Sequence, residues 1–129
     1  MHGRYLLDTN IIIGFFANDR KIHKRMAKAS EVFIPCVALG ELYFGAHKSS
    51  RPIENLSVME EFAHCNTVLA CNEETARRYG EMKDWLRKKG MPIPENDIWI
   101  AAIAEQYGLV LVSRDAHFDA VRNVQVEVW

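Results

Sequence analysis

Cysteine is scarce in this 129-residue chain, and the little there is forms no local pair. Cys36, Cys65 and Cys71 are odd in number and contain no C-x-x-C, which argues against a disulfide framework and suits a reducing compartment. A metal–thiolate cluster is equally absent, because the five histidines (His2, His23, His47, His64 and His117) are scattered as well. Charge of one sign is also lacking. Sixteen Lys and Arg stand against seventeen Asp and Glu, for a formal net charge of -1. No global positive field therefore marks a dedicated non-specific nucleic-acid binder, although local basic patches stay open. No apolar run approaches the roughly 20 residues of a membrane span. The first residues show no charged-then-apolar leader, so a cytoplasmic protein is the expectation. Repeats, low-complexity tracts and long linkers are missing too.

What is present is ordinary for a folded chain: 49% hydrophobic and 26% charged residues. The length predicts a single domain over 1–129. Short apolar runs alternate with amphipathic segments. Strands are predicted at 5–7, 31–34 (stopped by Pro35), 66–70, 109–112 and 124–128. Helices are predicted at 10–18, 20–29, 36–47, 52–63, 73–89, 95 or 96 to 107, and 116–121, with Gly90 and Gly108 as stops. The body of the 95–107 helix, Ile98 to Ala104, is apolar nearly all round and is expected to be buried, Trp99 included. Trp85 is expected to pack on the long helix. Strands alternating with helices predict a three-layer α/β/α fold on a parallel sheet. Right-handed crossovers then place every strand's carboxyl end on one side.

Acidic residues recur at those ends. Asp8 follows strand one in Leu7-Asp8-Thr9-Asn10, where it caps the next helix or serves a site. Glu41 interrupts the apolar helix after strand two. Asp97 opens the buried helix, a position the helix dipole also favours. Asp115 follows strand four in Val112-Ser113-Arg114-Asp115, where it caps the last short helix or joins the same site. If strands one and four are neighbours, Asp8 and Asp115 face each other; Glu41 needs its helix to lean across. Two unit charges 4 Å apart repel by about 4 kcal/mol at an effective dielectric near 20. Converging carboxylates therefore protonate, pair with cations or bind metal. Hard oxygen ligands without thiolates favour Mg²⁺ or Mn²⁺, and hydrolysis of a nucleic-acid backbone is a natural use of such a site.

The remaining polar residues have plainer readings beside functional ones. Thr9 and Ser113 either orient a carboxylate or cap locally. Asn10 and Asn96 read as caps or turn residues, and His64 and His117 as satisfied polar groups rather than general bases. The basic groups at 20–28 and 77–89 read as solvated faces; beside an acidic cleft they would position a phosphate backbone without reading bases. The apolar run Ile11–Phe16 cannot all face one core, so part of it is expected to meet a partner.

Four of these stretches together, Leu7-Asp8-Thr9-Asn10, Val37-Ala38-Leu39-Gly40-Glu41-Leu42, Asn96-Asp97-Ile98-Trp99-Ile100-Ala101-Ala102 and Val112-Ser113-Arg114-Asp115-Ala116-His117-Phe118, resemble the PIN-domain ribonucleases, above all the VapC-type toxins of toxin–antitoxin pairs. The likeness spans essentially the whole chain and keeps motif order and spacing. It implies a PIN-like fold with a central five-stranded parallel sheet and an acidic pocket for Mg²⁺ or Mn²⁺. It also implies RNA cleavage by metal-dependent phosphodiester hydrolysis. Residue by residue it makes Asp8, Glu41, Asp97 and Asp115 the metal-binding or catalytic acids, with Thr9 and Ser113 at the supporting hydroxyl positions. A homodimer and a cognate antitoxin protein are the implied partners. Two other readings stand beside it. A phosphatase would use Asp8 as nucleophile, but the acid expected two residues on is Asn10. An inactive protein-interaction or nucleic-acid-binding module would hold its metal structurally.

Overall fold

The computed structural model describes residues 3–129. Its elements run β1 (Arg4–Leu7), α1 (Thr9–Phe16), α2 (Arg20–Lys28), β2 (Glu31–Pro35), α3 (Cys36–His47), α4 (Pro52–Cys65), β3 (Thr67–Leu69), α5 (Glu73–Lys88), α6 (Glu95–Tyr107), β4 (Val110–Val112), a 3₁₀ turn (Ala116–Ala120) and β5 (Val126–Glu127). The five strands form one sheet in the order β3-β2-β1-β4-β5, and every neighbouring pair is parallel. The predicted three-layer α/β/α arrangement is what forms.

Local chemistry explains the boundaries. Asp19 caps α2, accepting from the Lys21 and Ile22 amides at 3.0 and 3.2 Å. Asn72 and Thr75 form a reciprocal capping box at the start of α5. Gly108 ends α6 in the left-handed conformation at φ 63. Asn18 adopts φ 61, which ends α1 at Phe16 rather than carrying it to Asn18. Asn123 at φ 64 likewise delays β5 to Val126. Pro35 does not stop β2 from outside but closes it as the last strand residue, where its missing N–H removes no interior ladder bond. The final helix is 3₁₀ rather than α, five residues being too few for a stable α segment.

Strand side chains Leu6, Leu7, Ile34, Leu111 and Val112 are fully enclosed and packed by Ile11, Ile12, Ile22, Ile100 and Ile103 from the helices. Truncating one of these to Ala costs about 2–5 kcal/mol. Helix α6 is buried as expected through Ile98 and Ile100 to Ala104, but Trp99 is not in the core. It is half-buried and stacks on Tyr79 of α5 at 4.0 Å between ring centres. Trp85 packs beneath Lys89 and Arg122.

The surplus apolar character of α1 divides as its pattern demanded. Ile11 and Ile12 are buried, whereas Ile13 is 55% exposed and Phe16 36%. Ile13 and Phe16 line a cleft of about 220 Å³ with Leu42, Gly45 and Met59, and Glu41 stands among the lining residues.

Candidate active site

The sheet order puts β1 beside β4 with Leu7 opposite Val112, so the next residues, Asp8 and Ser113, emerge side by side. Strand order reverses between these two strands, the place where ligands bind in open α/β sheets. Asp8 is only 5% exposed. Its Oδ1 accepts from the Thr9 amide at 2.8 Å, and its Oδ2 accepts from Ser113 Oγ at 2.7 Å and Asn10 Nδ2 at 3.3 Å. Burial raises its proton affinity above the ordinary carboxylate value. Ser113 and the Thr9 amide oppose that rise, while the nearby charges of Asp97 and Glu41 reinforce it. The two readings of Asp8 are thus both structural facts: it caps α1 and it presents a carboxylate at the crevice.

From Asp8 the hydrogen bonds run outward on two sides. Thr9 Oγ1 donates to Glu41 Oε1 at 3.0 Å, so α3 does lean far enough to bring its acid across. On the other side Ser113 Oγ accepts from the Asp115 amide at 2.9 Å. Asp115 Oδ1 accepts from the His117 amide at 2.9 Å and lies 3.0 Å from the ring nitrogen Nδ1. That same Nδ1 meets Asp97 Oδ2 at 2.9 Å, at the first turn of α6. Glu41, Thr9, Asp8, Ser113, Asp115, His117 and Asp97 therefore form one continuous polar path. All six residues singled out from the sequence lie on it.

Two members of the cluster were not anticipated. Asn10 is no terminal cap; it lies inside α1, where its amide bridges Asp8, Ser113 Oγ at 3.4 Å and the Arg114 amide at 3.2 Å. His117 is hydrogen-bonded, as a satisfied polar residue should be, but its partners are two of the four acids. Only the two-residue spacing Asp115-x-His117 hinted at this. Asn96 is exposed within α6 and caps nothing, since Pro94 takes the cap position.

Electrostatics set the character of this edge. Burial pushes Asp97 above the usual carboxylate range; His117 counters this and the charge of Asp115 adds to it. Asp97 in turn raises the proton affinity of His117 above its ordinary 6.5, with Asp115 and Asp8 contributing and desolvation opposing. Arg114, next to the acids in sequence, turns away to Asp19 at 2.9 Å and to the Trp129 carbonyl at 2.6 Å. Arg25 of the basic helix pairs with Glu127, and Arg77 and Arg78 with acids on α5 and α6. These cations are committed elsewhere. Asp97, Asp115 and His117 each offer a donor atom within 4.8 Å of the others. The carboxylate oxygens suit Mg²⁺ or Mn²⁺, and an imidazole nitrogen beside them tilts the set toward Mn²⁺. A cleft of about 450 Å³ between Lys83, Leu86, Ile93 and Ile98 includes none of the four acids.

An open parallel sheet with acids from four separate elements gathered at its switch point defines a doubly wound α/β domain with an acidic crevice. The chain belongs to the PIN domain family, whose model matches residues 5–124. It is 36% identical over 131 residues to Ribonuclease VapC2 of Haemophilus influenzae, covering 98% of each chain. It is 32% identical over 130 residues to the tRNA(fMet)-specific endonuclease VapC of Salmonella typhimurium, again covering 98% of each. Its fold matches the DNA-bound VapBC structure from Salmonella typhimurium with TM-score 0.90 and 32% identity, over 100% of this chain and 99% of that one.

Proposed function

We propose that this protein is a Mg²⁺- or Mn²⁺-dependent endoribonuclease acting as the toxin of a toxin–antitoxin pair, with Asp8, Glu41, Asp97 and Asp115 as its working acids. The observation that carries the reading is the unbroken path from Glu41 through Asp8 to Asp97, built from four elements and not neutralised by Arg114. Relatives named as a ribonuclease and a tRNA(fMet)-specific endonuclease support RNA as the substrate class. A VapBC assembly among the structural matches supports an antitoxin partner. The reading includes one domain over 1–129, a homodimer and a cytoplasmic location, in keeping with the absence, among the described residues, of any helix long and apolar enough to cross a membrane.

The residues divide the work by their bonds. Asp8 is fixed by three donors and presents a carboxylate whose orientation is set before substrate arrives. His117 holds Asp97 and Asp115 together. Glu41 is exposed and steadied by Thr9, which makes it the acid accessible to a water proton. When bound, the divalent ion supplies a lowered water pKa and positive charge for the phosphodiester oxygens.

The test is incubation of the antitoxin-free protein with total RNA and matched DNA, in Mg²⁺, Mn²⁺ or excess chelator, with mapping of the new ends. Cleavage of RNA that stops in chelator and after Asp8→Asn is the expected result. Undiminished cleavage under either condition overturns the metal-dependent mechanism. Tight partner binding without any RNA cleavage would favour an interaction module instead.

A further inference from the structure

Cys36 and Cys71 lie together although 35 residues separate them: the Cys36 thiol faces Cys71 Sγ at 3.9 Å. The topology brings them there. Strands β2 and β3 run parallel with Pro35 opposite Leu69. Cys36 is the first residue of α3 and Cys71 stands two residues beyond β3, so both leave adjacent strands on the same edge. Neighbouring strands lie about 4.8 Å apart, inside the Cα separations that disulfides span. Cys71 is exposed and Cys36 half-buried, which leaves the pair open to a small reagent. Cys65, exposed at the end of α4, belongs to neither strand end and stands apart as a built-in control.

We propose that Cys36 and Cys71 form a redox-responsive thiol pair that closes to a reversible intramolecular disulfide in the presence of a small-molecule disulfide oxidant. Closure takes the sulfurs from 3.9 Å to a bond of about 2.05 Å, a movement on the scale of a side-chain adjustment. One protein thiolate attacks the small disulfide, forms a mixed disulfide and releases one small thiol. The other protein thiolate attacks the protein-side sulfur of that mixed disulfide, forms the Cys36–Cys71 bond and releases the second small thiol. Two protein thiols are oxidised, one small disulfide is reduced, and the two protons pass to the released thiolates.

Although the residue is exposed, partial desolvation of its sulfur and then the neighbouring Cys36 push the Cys71 thiol up to about 11, so its thiolate is scarce at neutral pH. Closure is therefore faster at alkaline than at neutral pH, because it draws on the Cys71 thiolate. The bond would tie the first residue of α3, the helix carrying Glu41, to the residue preceding the Asn72 cap of α5. The proposal holds whatever reaction the acidic edge performs.

The test equilibrates the full chain with oxidised and reduced glutathione in varied ratio, alkylates the remaining thiols and weighs the product. At high oxidised glutathione the chain loses two hydrogens, proteolysis yields a peptide linking Cys36 to Cys71, and excess reductant restores the starting mass. Cys65→Ser keeps this behaviour, while Cys36→Ser and Cys71→Ser each abolish it. The oxidised chain also melts at a higher temperature than the reduced one. Three thiols that stay alkylatable, a stable glutathione adduct without ring closure, or a cross-link through Cys65 that persists in Cys36→Ser would overturn the proposal.

Discussion

Ser113 donates its hydroxyl to Asp8 Oδ2 at 2.7 Å, joining residues 105 positions apart in sequence. The bond follows from the register of β1 and β4, in which Leu7 opposite Val112 makes Asp8 and Ser113 the next residues beyond the ladder. Ser113 is itself 1% exposed and takes a second bond from the Asp115 amide. It joins the two halves of the acidic path.

Removing that hydroxyl should therefore act on Asp8 without touching substrate. Ser113→Ala removes the strongest influence holding the Asp8 proton affinity down. The acid limb of the cleavage profile should move to higher pH. Metal affinity should fall by about 10–100-fold, the usual effect of losing a group that orients a ligand. Ser113→Thr, which keeps the hydroxyl, should restore both. A profile unchanged in Ser113→Ala would show that Asp8 does not titrate in the reaction.

Without metal, the acidic edge should weaken the fold as pH rises. Asp8 and Asp97 have folded proton affinities above their ordinary value of 3.8, so the native state binds more protons than the unfolded chain just above that value. Stability falls through that window and stays reduced beyond it. His117, raised above 6.5, adds stability that is complete below that value and lost as pH climbs through the folded one. Asp19, Glu74, Asp84 and Glu95, all lowered by cationic partners, act oppositely: their contribution is lost on acidification. In chelator, the melting temperature should decline as pH rises through 6.5 and beyond, where His117 loses its proton and the acidic edge is fully charged. Asp97→Asn should flatten the decline and melt higher than the parent at the upper end. A steeper decline in Asp97→Asn would sink the argument.

The contrast between what was and was not legible has a physical basis. Asp8, Asp97 and Asp115 could be found because each stands at a strand end or helix start that apolar periodicity marks locally, and Glu41 because it interrupts an apolar helix. Asn10 and His117 could not, because their roles depend on which strands are neighbours. Asn10 resembles any first-turn amide until β4 brings Ser113 and Arg114 against it. His117 acquires meaning only when α6 delivers Asp97 to its ring. The same limit hid Cys36 and Cys71, which are distant in sequence and meet through β2–β3 pairing. Trp99 lies outside the core for another reason. An apolar stretch does not say which residue faces the flanking helix, and Tyr79 claims this one.

His117 should also influence which ion the edge prefers. Once an incoming ion displaces the proton that His117 shares with Asp97 and Asp115, an imidazole nitrogen among carboxylates favours Mn²⁺ over Mg²⁺, because nitrogen donors suit the transition metal better. Titration calorimetry of His117→Ala should show Mn²⁺ affinity reduced by about 10-fold or more, with Mg²⁺ affinity changed less. An equal loss for both ions would reduce His117 to a spacer between Asp97 and Asp115. An unchanged Mn²⁺ affinity would remove it from the site's metal chemistry altogether.

The exposed side of α1 gives a test of the partner that spares the chemistry. Ile13 and Phe16 present apolar surface beside Leu42 and Met59, and Glu41 borders the same cleft. A chain segment seated on these residues would reach the acid that Thr9 steadies. Binding and inhibition should then depend on one surface. Ile13→Glu places a charge where an apolar anchor would dock. A well-packed interface anchor is worth about 2 kcal/mol or more, so antitoxin affinity should fall by at least about 30-fold. At 55% exposed, the position carries little of the fold, and stability should shift by no more than about 0.5 kcal/mol. Coexpressed with its antitoxin, the Ile13→Glu chain should purify alone and still cleave RNA, whereas the parent should emerge bound and inhibited. A variant that folds and remains both bound and inhibited would place the antitoxin on another face of the molecule.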